Sequence, residues 1–318
     1  MITLDDILAA QVRLNGVAVR TPLIPFEDHG RTLDLKPENL QPVGAFKIRG
    51  AYNKIASLSA GERASGVITY SSGNHAQGVA YAARAFEIKA VIVMPETVPS
   101  VKRQATAALG AEIVYAGTTG VERQAKAEEL AARHGYVMIP PYEDEKVIAG
   151  QGTVGLEMVE DRPEVDLVLV PVGGGGLISG ISVAVKSLNP AAKVIGVEPE
   201  LAADAQASLR TGTIVQIPAE QATSTIADGL RAIHVGSLTF EHIRSYVDDI
   251  ITVTEEEIRR AVRILAENPK TTAEPSGAVA TAAWLFHHEA LPPSRAAIAV
   301  ISGGNIEPVL LNQIRAGG

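Results

Sequence analysis

Leu167-Val168-Leu169-Val170-Pro171-Val172-Gly173-Gly174-Gly175-Gly176-Leu177 passes from an apolar, β-branched strand through four consecutive glycines into a helical pattern that runs on to Leu188. Four residues without Cβ let backbone N–H groups approach and encircle an anion, and the helix that follows adds its positive N-terminal end. Phosphate is the natural guest. A flexible strand-to-helix turn is the plainer alternative, but four glycines in a row raise the entropic cost of ordering the chain there. A dinucleotide fingerprint would need a further glycine where Ile178 and Ser179 stand. Glu198, at the end of the next strand, occupies the place of a ribose-holding acid. No G-x-x-x-x-G-K-[ST] motif is present. A monophosphate ligand therefore fits better than a dinucleotide, and a nicotinamide-dependent oxidoreductase is the rival from another functional class.

Outward from this turn, short β-branched runs alternate with longer amphipathic ones. Val67-Ile68-Thr69-Tyr70, Lys89-Ala90-Val91-Ile92-Val93-Met94, Ala111-Glu112-Ile113-Val114-Tyr115 and Tyr136-Val137-Met138-Ile139 read as strands, separated by helices over 75–85, 100–109 and 121–134. A second set holds the strands 167–172, 193–198 and 297–301, with helices over 177–188, 255–268 and 276–287. Such alternation predicts an α/β protein with parallel-rich sheets flanked by helices. The simplest partition is discontinuous: a small α/β domain over 66–143 inserted into a larger one formed by 1–65 and 144–318. The cleft between them is the expected ligand site.

The chain has 318 residues, 46% of them hydrophobic, enough for two domains with real cores. A net charge of −8 with scattered basic residues gives no attraction to nucleic acid or an anionic membrane. Cysteine is absent, which excludes disulfides, thiolate metal sites and a cysteine nucleophile. The N-terminus lacks the basic-then-apolar run of a secretory signal, and no apolar run approaches the roughly 20 residues of a membrane span. A soluble, cytoplasmic protein is expected.

Gly44-Ala45-Phe46-Lys47-Ile48-Arg49-Gly50-Ala51 sets a lysine in an apolar, glycine-bracketed stretch. Burial penalises a charged amine and lowers its pKa, and such a lysine can form an imine with an aldehyde. Taken alone, Lys47 reads as an ordinary structural residue. Two further turns change that. Ser71-Ser72-Gly73-Asn74-His75 joins a strand to a helix and could bind a carboxylate or a phenolic oxygen, although Ser and Asn also suit a helix N-cap. Ser302-Gly303-Gly304-Asn305 follows the last apolar strand and puts a hydroxyl at its end. A nucleophilic amine, an anion cradle and a carboxylate cradle are the parts needed to hold pyridoxal phosphate and an amino acid.

On these motifs the chain resembles the serine racemase and threonine dehydratase family of fold-type II pyridoxal-phosphate enzymes, a tryptophan synthase β-like fold with the cofactor in the interdomain cleft. Lys36-Pro37-Glu38-Asn39-Leu40-Gln41, Ile148-Ala149-Gly150-Gln151-Gly152-Thr153 and Thr225-Ile226-Ala227-Asp228-Gly229 carry the resemblance as well. It implies that Lys47 holds the cofactor covalently and Phe46 packs on its ring. Asn74 would bond the ring hydroxyl, Gly173, Gly174, Gly175, Gly176 and Leu177 the phosphate, and Ser302 the pyridine nitrogen, with Glu274 nearby. Ser71, Ser72, Gly73, Asn74 and His75 would receive the substrate carboxylate. Two departures stand out: Ala45 replaces the family's usual serine, and the segment 20–36 is short.

The resemblance further implies a divalent cation, Mg²⁺ or Ca²⁺, on Glu198, the Ala202 carbonyl and Asp204, although the stretch also reads as a solvated acidic loop. It implies a homodimer and allows a nucleotide effector between subunits; the short tail after Asn305 leaves no room for an appended regulatory module. The leading expectation is dehydration of L-threonine, L-serine or a related β-hydroxy amino acid to a 2-oxo acid and ammonia. Racemisation, with Ser72 as second acid/base beside Lys47, is the nearest alternative. Dehydration of 3-hydroxyaspartate, with Arg231 as the extra cationic contact, is another.

Overall fold

Strands β1 (Ile24–Asp28), β2 (Arg31–Pro37), β3 (Val67–Tyr70), β4 (Ala90–Met94), β5 (Glu112–Tyr115), β6 (Val137–Met138), β7 (Leu167–Pro171), β8 (Lys193–Pro199), β9 (Asp249–Val253) and β10 (Ala297–Ile301) form two sheets in the computed structural model, which describes residues 1–317. The larger has the order β1-β2-β10-β7-β8-β9 and the smaller β5-β4-β3-β6. Every pairing is parallel except β1 with β2. β4, β7 and β10 are buried along their whole length, as strands covered by helices on both faces must be. The α/β expectation holds.

The short segment 20–36 folds largely as the β1–β2 hairpin, turning through His29 and Gly30, both at positive φ. Its sequence reads weakly as strand because Pro25 interrupts it, which an edge strand tolerates.

Six helices position the functional turns: α1 (Lys47–Ala56), α2 (Asn74–Ala85), α3 (Glu145–Asp161), α4 (Gly176–Leu188), α5 (Ser237–Tyr246) and α6 (Pro275–Phe286). α3 has no amphipathic period because it is buried all round from Val147 to Val159. Glycine lets it touch its neighbours' backbones. A Cβ on Gly150 would meet the Arg49 carbonyl at 2.5 Å, and one on Gly155 would lie 2.9 Å from Ile181 Cα. The core of the smaller sheet also takes in Ala51, Ile55 and Leu58, so α1 belongs partly to that layer. Among the described residues no helix is long and apolar enough to cross a membrane.

A buried ion network pins α1. Glu157, from α3, takes Lys36 Nζ at 2.6 Å and Arg49 Nη1 at 2.6 Å. Arg49 Nε donates to Glu38 at 2.7 Å, and Thr21 donates to the same carboxylate at 3.0 Å. Lys36, Glu38 and Arg49 are at most 1% exposed. Two cations facing two anions leave no net buried charge, the condition under which such a cluster is tolerated. Removing one member leaves its partners uncompensated. Glu157→Ala is expected to lower the unfolding free energy by about 3–5 kcal/mol, read from urea denaturation; a loss below about 1 kcal/mol would mean that water or another side chain neutralises Lys36 and Arg49.

Candidate active site

Lys47 is the first residue of α1, and the loop before it is paired with the loop after β10. Phe46 N donates to the Ser302 carbonyl at 3.1 Å, Gly304 N to the Gly44 carbonyl at 2.9 Å, and Ala45 forms an antiparallel bridge with Gly303. Gly44 sits at φ 70°, where a side chain would also collide with Asn305. Lys47 Nζ donates to the Pro141 carbonyl at 2.7 Å and lies 5.1 Å from the Phe46 ring centre. Burial lowers the amine to about 8. No carboxylate pairs with it among the described residues.

The 71–75 turn stands at the C-terminal end of β3. α2 starts at Asn74 with Gly73 as its N-cap, and no side chain caps it. The capping alternative is thus not realised, and the N–H groups of the first turn are free of side-chain acceptors. Asn74 donates to Glu274 Oε1 at 2.6 Å and accepts from Asn305 at 2.8 Å. Asn305 also donates to the Val43 carbonyl at 2.8 Å. Glu274 occupies the N-cap position of α6 but turns its carboxyl inward to Asn74. Burial, and then the charge of Asp228, push that carboxyl up to about 7.

His75 points elsewhere. Its ring is buried, with Nε2 2.9 Å from the Ile139 carbonyl. Burial, reinforced by the charge of Lys47, pushes it down to about 3, so it stays neutral. Only its backbone remains available to the turn. Ser71 Oγ accepts from Gly73 N at 3.4 Å, which tightens the loop, while Ser71 and Ser72 stay partly exposed. Ser302 is buried beside α6, its hydroxyl 3.4 Å from the Ser276 carbonyl, too long for a strong bond.

The tetraglycine bend leads into α4 with Gly175 as N-cap at φ 90° and again no side-chain cap. A side chain on Gly174 would overlap the ring of Tyr142. One on Gly175 would meet Thr239 at 2.9 Å, and one on Gly176 would meet Tyr142 Cβ at 2.9 Å. Thr239 Oγ1 donates to the Gly174 carbonyl at 2.8 Å. Leu177, in the first turn of α4, is buried in the core below. Close approach dictates these glycines, and the bend presents backbone N–H groups at an uncapped helix start.

Pro141 and Tyr142, which no motif had flagged, join the amine to the bend. Of the expected cation ligands, Glu198 accepts from Ala205 N at 3.0 Å and Gln206 N at 2.8 Å, while both carboxylate oxygens of Asp204 are buried without a partner. Desolvation raises both carboxyls above the usual range, and the charge of Asp204 adds to the rise at Glu198. They therefore form a buried acidic pair, not a solvated loop, although no group of three or more His, Asp or Glu is gathered among the described residues. Arg231 is exposed and donates to the Thr225 carbonyl at 2.6 Å. Lys102, from the helix Ser100–Ala108, pairs with Asp228 across the two sheets.

The model of the family described as "Pyridoxal-phosphate dependent enzyme" matches residues 15–303. This chain belongs to that family. L-threonine ammonia-lyase of Thermotoga maritima is 48% identical to it, over 99% of this chain and 78% of the relative. L-threo-3-hydroxyaspartate ammonia-lyase of Saccharomyces cerevisiae is 42% identical over 96% and 94%. The solved structure of maize serine racemase superposes with a TM-score of 0.93 at 37% identity, covering 99% of this chain and 97% of that one. The protein is thus a pyridoxal-phosphate-type enzyme of fold-type II, as its motifs suggested. The residues present fit that cofactor: an uncapped, glycine-only cradle and an amine near pKa 8 without a carboxylate partner are joined through Pro141 and Tyr142.

Glu274 supplies a pH test. Its carboxyl holds a proton in the folded chain up to about pH 7 but loses it near 4.5 when unfolded, so this group's stabilising contribution is lost as pH rises between those values. Glu274→Gln has no such proton. The melting temperature of the Gln variant relative to the unsubstituted protein is expected to climb from about pH 5 to about pH 7 and then level off. A pH-independent difference would place Glu274 in the ordinary carboxylate range.

Proposed function

We propose that the protein is an ammonia-lyase that dehydrates small β-hydroxy-α-amino acids, L-threonine or L-serine, to a 2-oxo acid and ammonia. The observation that carries this reading is the Lys47 amine, lowered to about 8 by burial and held by the carbonyl of Pro141, the residue before the tyrosine that packs on the uncapped glycine bend. An amine of that pKa spends a useful fraction of its time neutral near neutral pH, as a base for a Cα proton requires.

Pyridoxal phosphate, when bound, supplies the electron sink that makes the substrate Cα–H acidic. Lys47 would hold it covalently, with residues 173–177 on its phosphate, Asn74 on its ring hydroxyl, Phe46 against its ring and Ser302 at its nitrogen. The pair to Glu274 fixes the Asn74 amide, so that only one of its donors remains for a ligand. Ser302 is neutral and does not hold a proton on a ring nitrogen as an aspartate would. That weaker arrangement suits a reaction in which a β-substituent leaves early. The open N–H groups of the 71–75 turn would orient the substrate carboxylate, and Lys47 would take the Cα proton.

Two observations bear on the substrate. Lys102 is paired with Asp228, and Arg231 gives two of its donors to the Thr225 carbonyl, so neither is committed to a second substrate carboxylate. Neutral side chains are therefore preferred over 3-hydroxyaspartate. Ser72, partly exposed in the same turn, supports a second reading as the opposite-face acid/base of a racemase, in keeping with the maize structure. A divalent cation on Glu198, Asp204 and the Ala202 carbonyl would neutralise the buried acidic pair, and oxygen-only donors suit Mg²⁺ or Ca²⁺.

Two experiments decide these points. With L-threonine, L-serine and the stereoisomers of 3-hydroxyaspartate as substrates, 2-oxo acid release is expected fastest from threonine or serine. Lys47→Ala should abolish both turnover and the visible absorbance of the bound cofactor, and either surviving would refute the assignment. Ser72→Ala should remove D-serine formation while sparing elimination. For the cation, Mg²⁺ should raise the melting temperature of the unsubstituted protein but not of Asp204→Asn; equal shifts would move the site elsewhere.

A further inference from the structure

Residues 139–143 link His75, Lys47, the tetraglycine bend and the start of α5 in turn. The Ile139 carbonyl holds His75, the Pro141 carbonyl holds Lys47, and the Glu143 carboxylate accepts from Leu238 N at 2.7 Å and Thr239 N at 3.4 Å at the start of α5. Between Pro141 and Glu143 lies Tyr142. Its Cβ stands against Gly176 and its ring edge against Gly174, so the side chain runs back along the bend from the helix start toward the strand. Neither contact survives a side chain on those glycines. The ring is thus one wall of the bend, with Thr239 bracing the Gly174 carbonyl.

The hydroxyl at the end of that ring has no protein partner. No hydrogen bond holds it among the described residues, and the groups that act on it are Tyr70, Glu143 and Asp204, all of negative or neutral charge. The half-buried phenol therefore keeps an unused donor beside the bend. Burial pushes its pKa up to about 12, so the proton stays on oxygen throughout the working range.

We propose that Tyr142 is a positioning residue of the phosphate cradle: its ring fixes the tetraglycine bend, and its hydroxyl donates one hydrogen bond to the phosphate held there. This rests on the cofactor reading above and adds to it a side-chain donor in a cradle otherwise built of backbone. It also makes the phosphate part of the link between the bend and Lys47, because Tyr142 follows the residue whose carbonyl holds the amine.

The test compares two ligands, pyridoxal 5′-phosphate and pyridoxal, which differ only in the phosphate. Binding is followed by visible absorbance in the full-length protein and two variants. Tyr142→Phe keeps the ring; it is expected to bind pyridoxal 5′-phosphate about ten- to a hundredfold more weakly, as for one lost hydrogen bond to a charged group, with pyridoxal changed less than about twofold. Tyr142→Leu removes the wall as well and is expected to weaken both ligands further. Phosphate-ligand affinity unchanged in Tyr142→Phe, or an equal loss for both ligands, would overturn the donor role. Leu and Phe variants that behave alike would overturn the wall. Failure of the unsubstituted protein to bind pyridoxal 5′-phosphate at all would instead sink the underlying cofactor reading, and this inference with it.

Discussion

Charge balance inside the protein is the constraint on which the site depends. Arg49 lies two residues beyond Lys47, fully enclosed, and cannot shed its proton. Its two carboxylates come from different places, Glu38 from the turn after β2 and Glu157 from α3, while Lys36 completes the neutrality. Because a guanidinium binds carboxylates through a rigid fork, these contacts fix the rotation and advance of α1 as well as its position. The amine on the first turn of that helix inherits the placement. Lys47 has no carboxylate partner among the described residues, and that contrast separates two cations of the same helix: one neutralised by its neighbours, one held by a backbone carbonyl alone.

Around that fixed helix the cleft is assembled from loops whose glycines admit a neighbour's backbone or ring. The 44–46 and 302–304 segments pair with each other, and the 173–176 bend packs on Tyr142 and Thr239. The small sheet contributes the 71–75 turn, and the Asn74 amide reaches across to Glu274 on the large one. Lys102 and Asp228 make a second crossing. The proposed site lies where two uncapped helix starts, whose first-turn N–H groups secondary structure leaves unspent, come near an amine with no carboxylate partner.

Much of this was legible beforehand. The parallel alternation, the tetraglycine bend and the Lys47 setting follow from local pattern, and the strands 67–70 and 297–301 agree to the residue. What escaped did so for physical reasons. α3 has no polar face, so its helical period is invisible. The β1–β2 hairpin is broken by a proline that only an edge position forgives. Tyr142 and Pro141 act through a ring edge and a carbonyl, and neither leaves a signature of residue type. The neighbours of His75, not its identity, decide that its imidazole is withdrawn from the cleft. Arg231 likewise reads as a free cation until its contact with a backbone carbonyl is seen.

The bridge between Ala45 and Gly303 has a consequence for how the enzyme comes into being on the ribosome. The loop ahead of Lys47 is closed by partners made some 258 positions later, and contacts so distant along the chain form slowly. A nascent polypeptide still lacking β10 and the loop after it holds Lys47 on an unfinished loop, without the backbone partners that Ser302, Gly303 and Gly304 provide. The surroundings of that amine are therefore completed only once these distant residues fold back onto its loop.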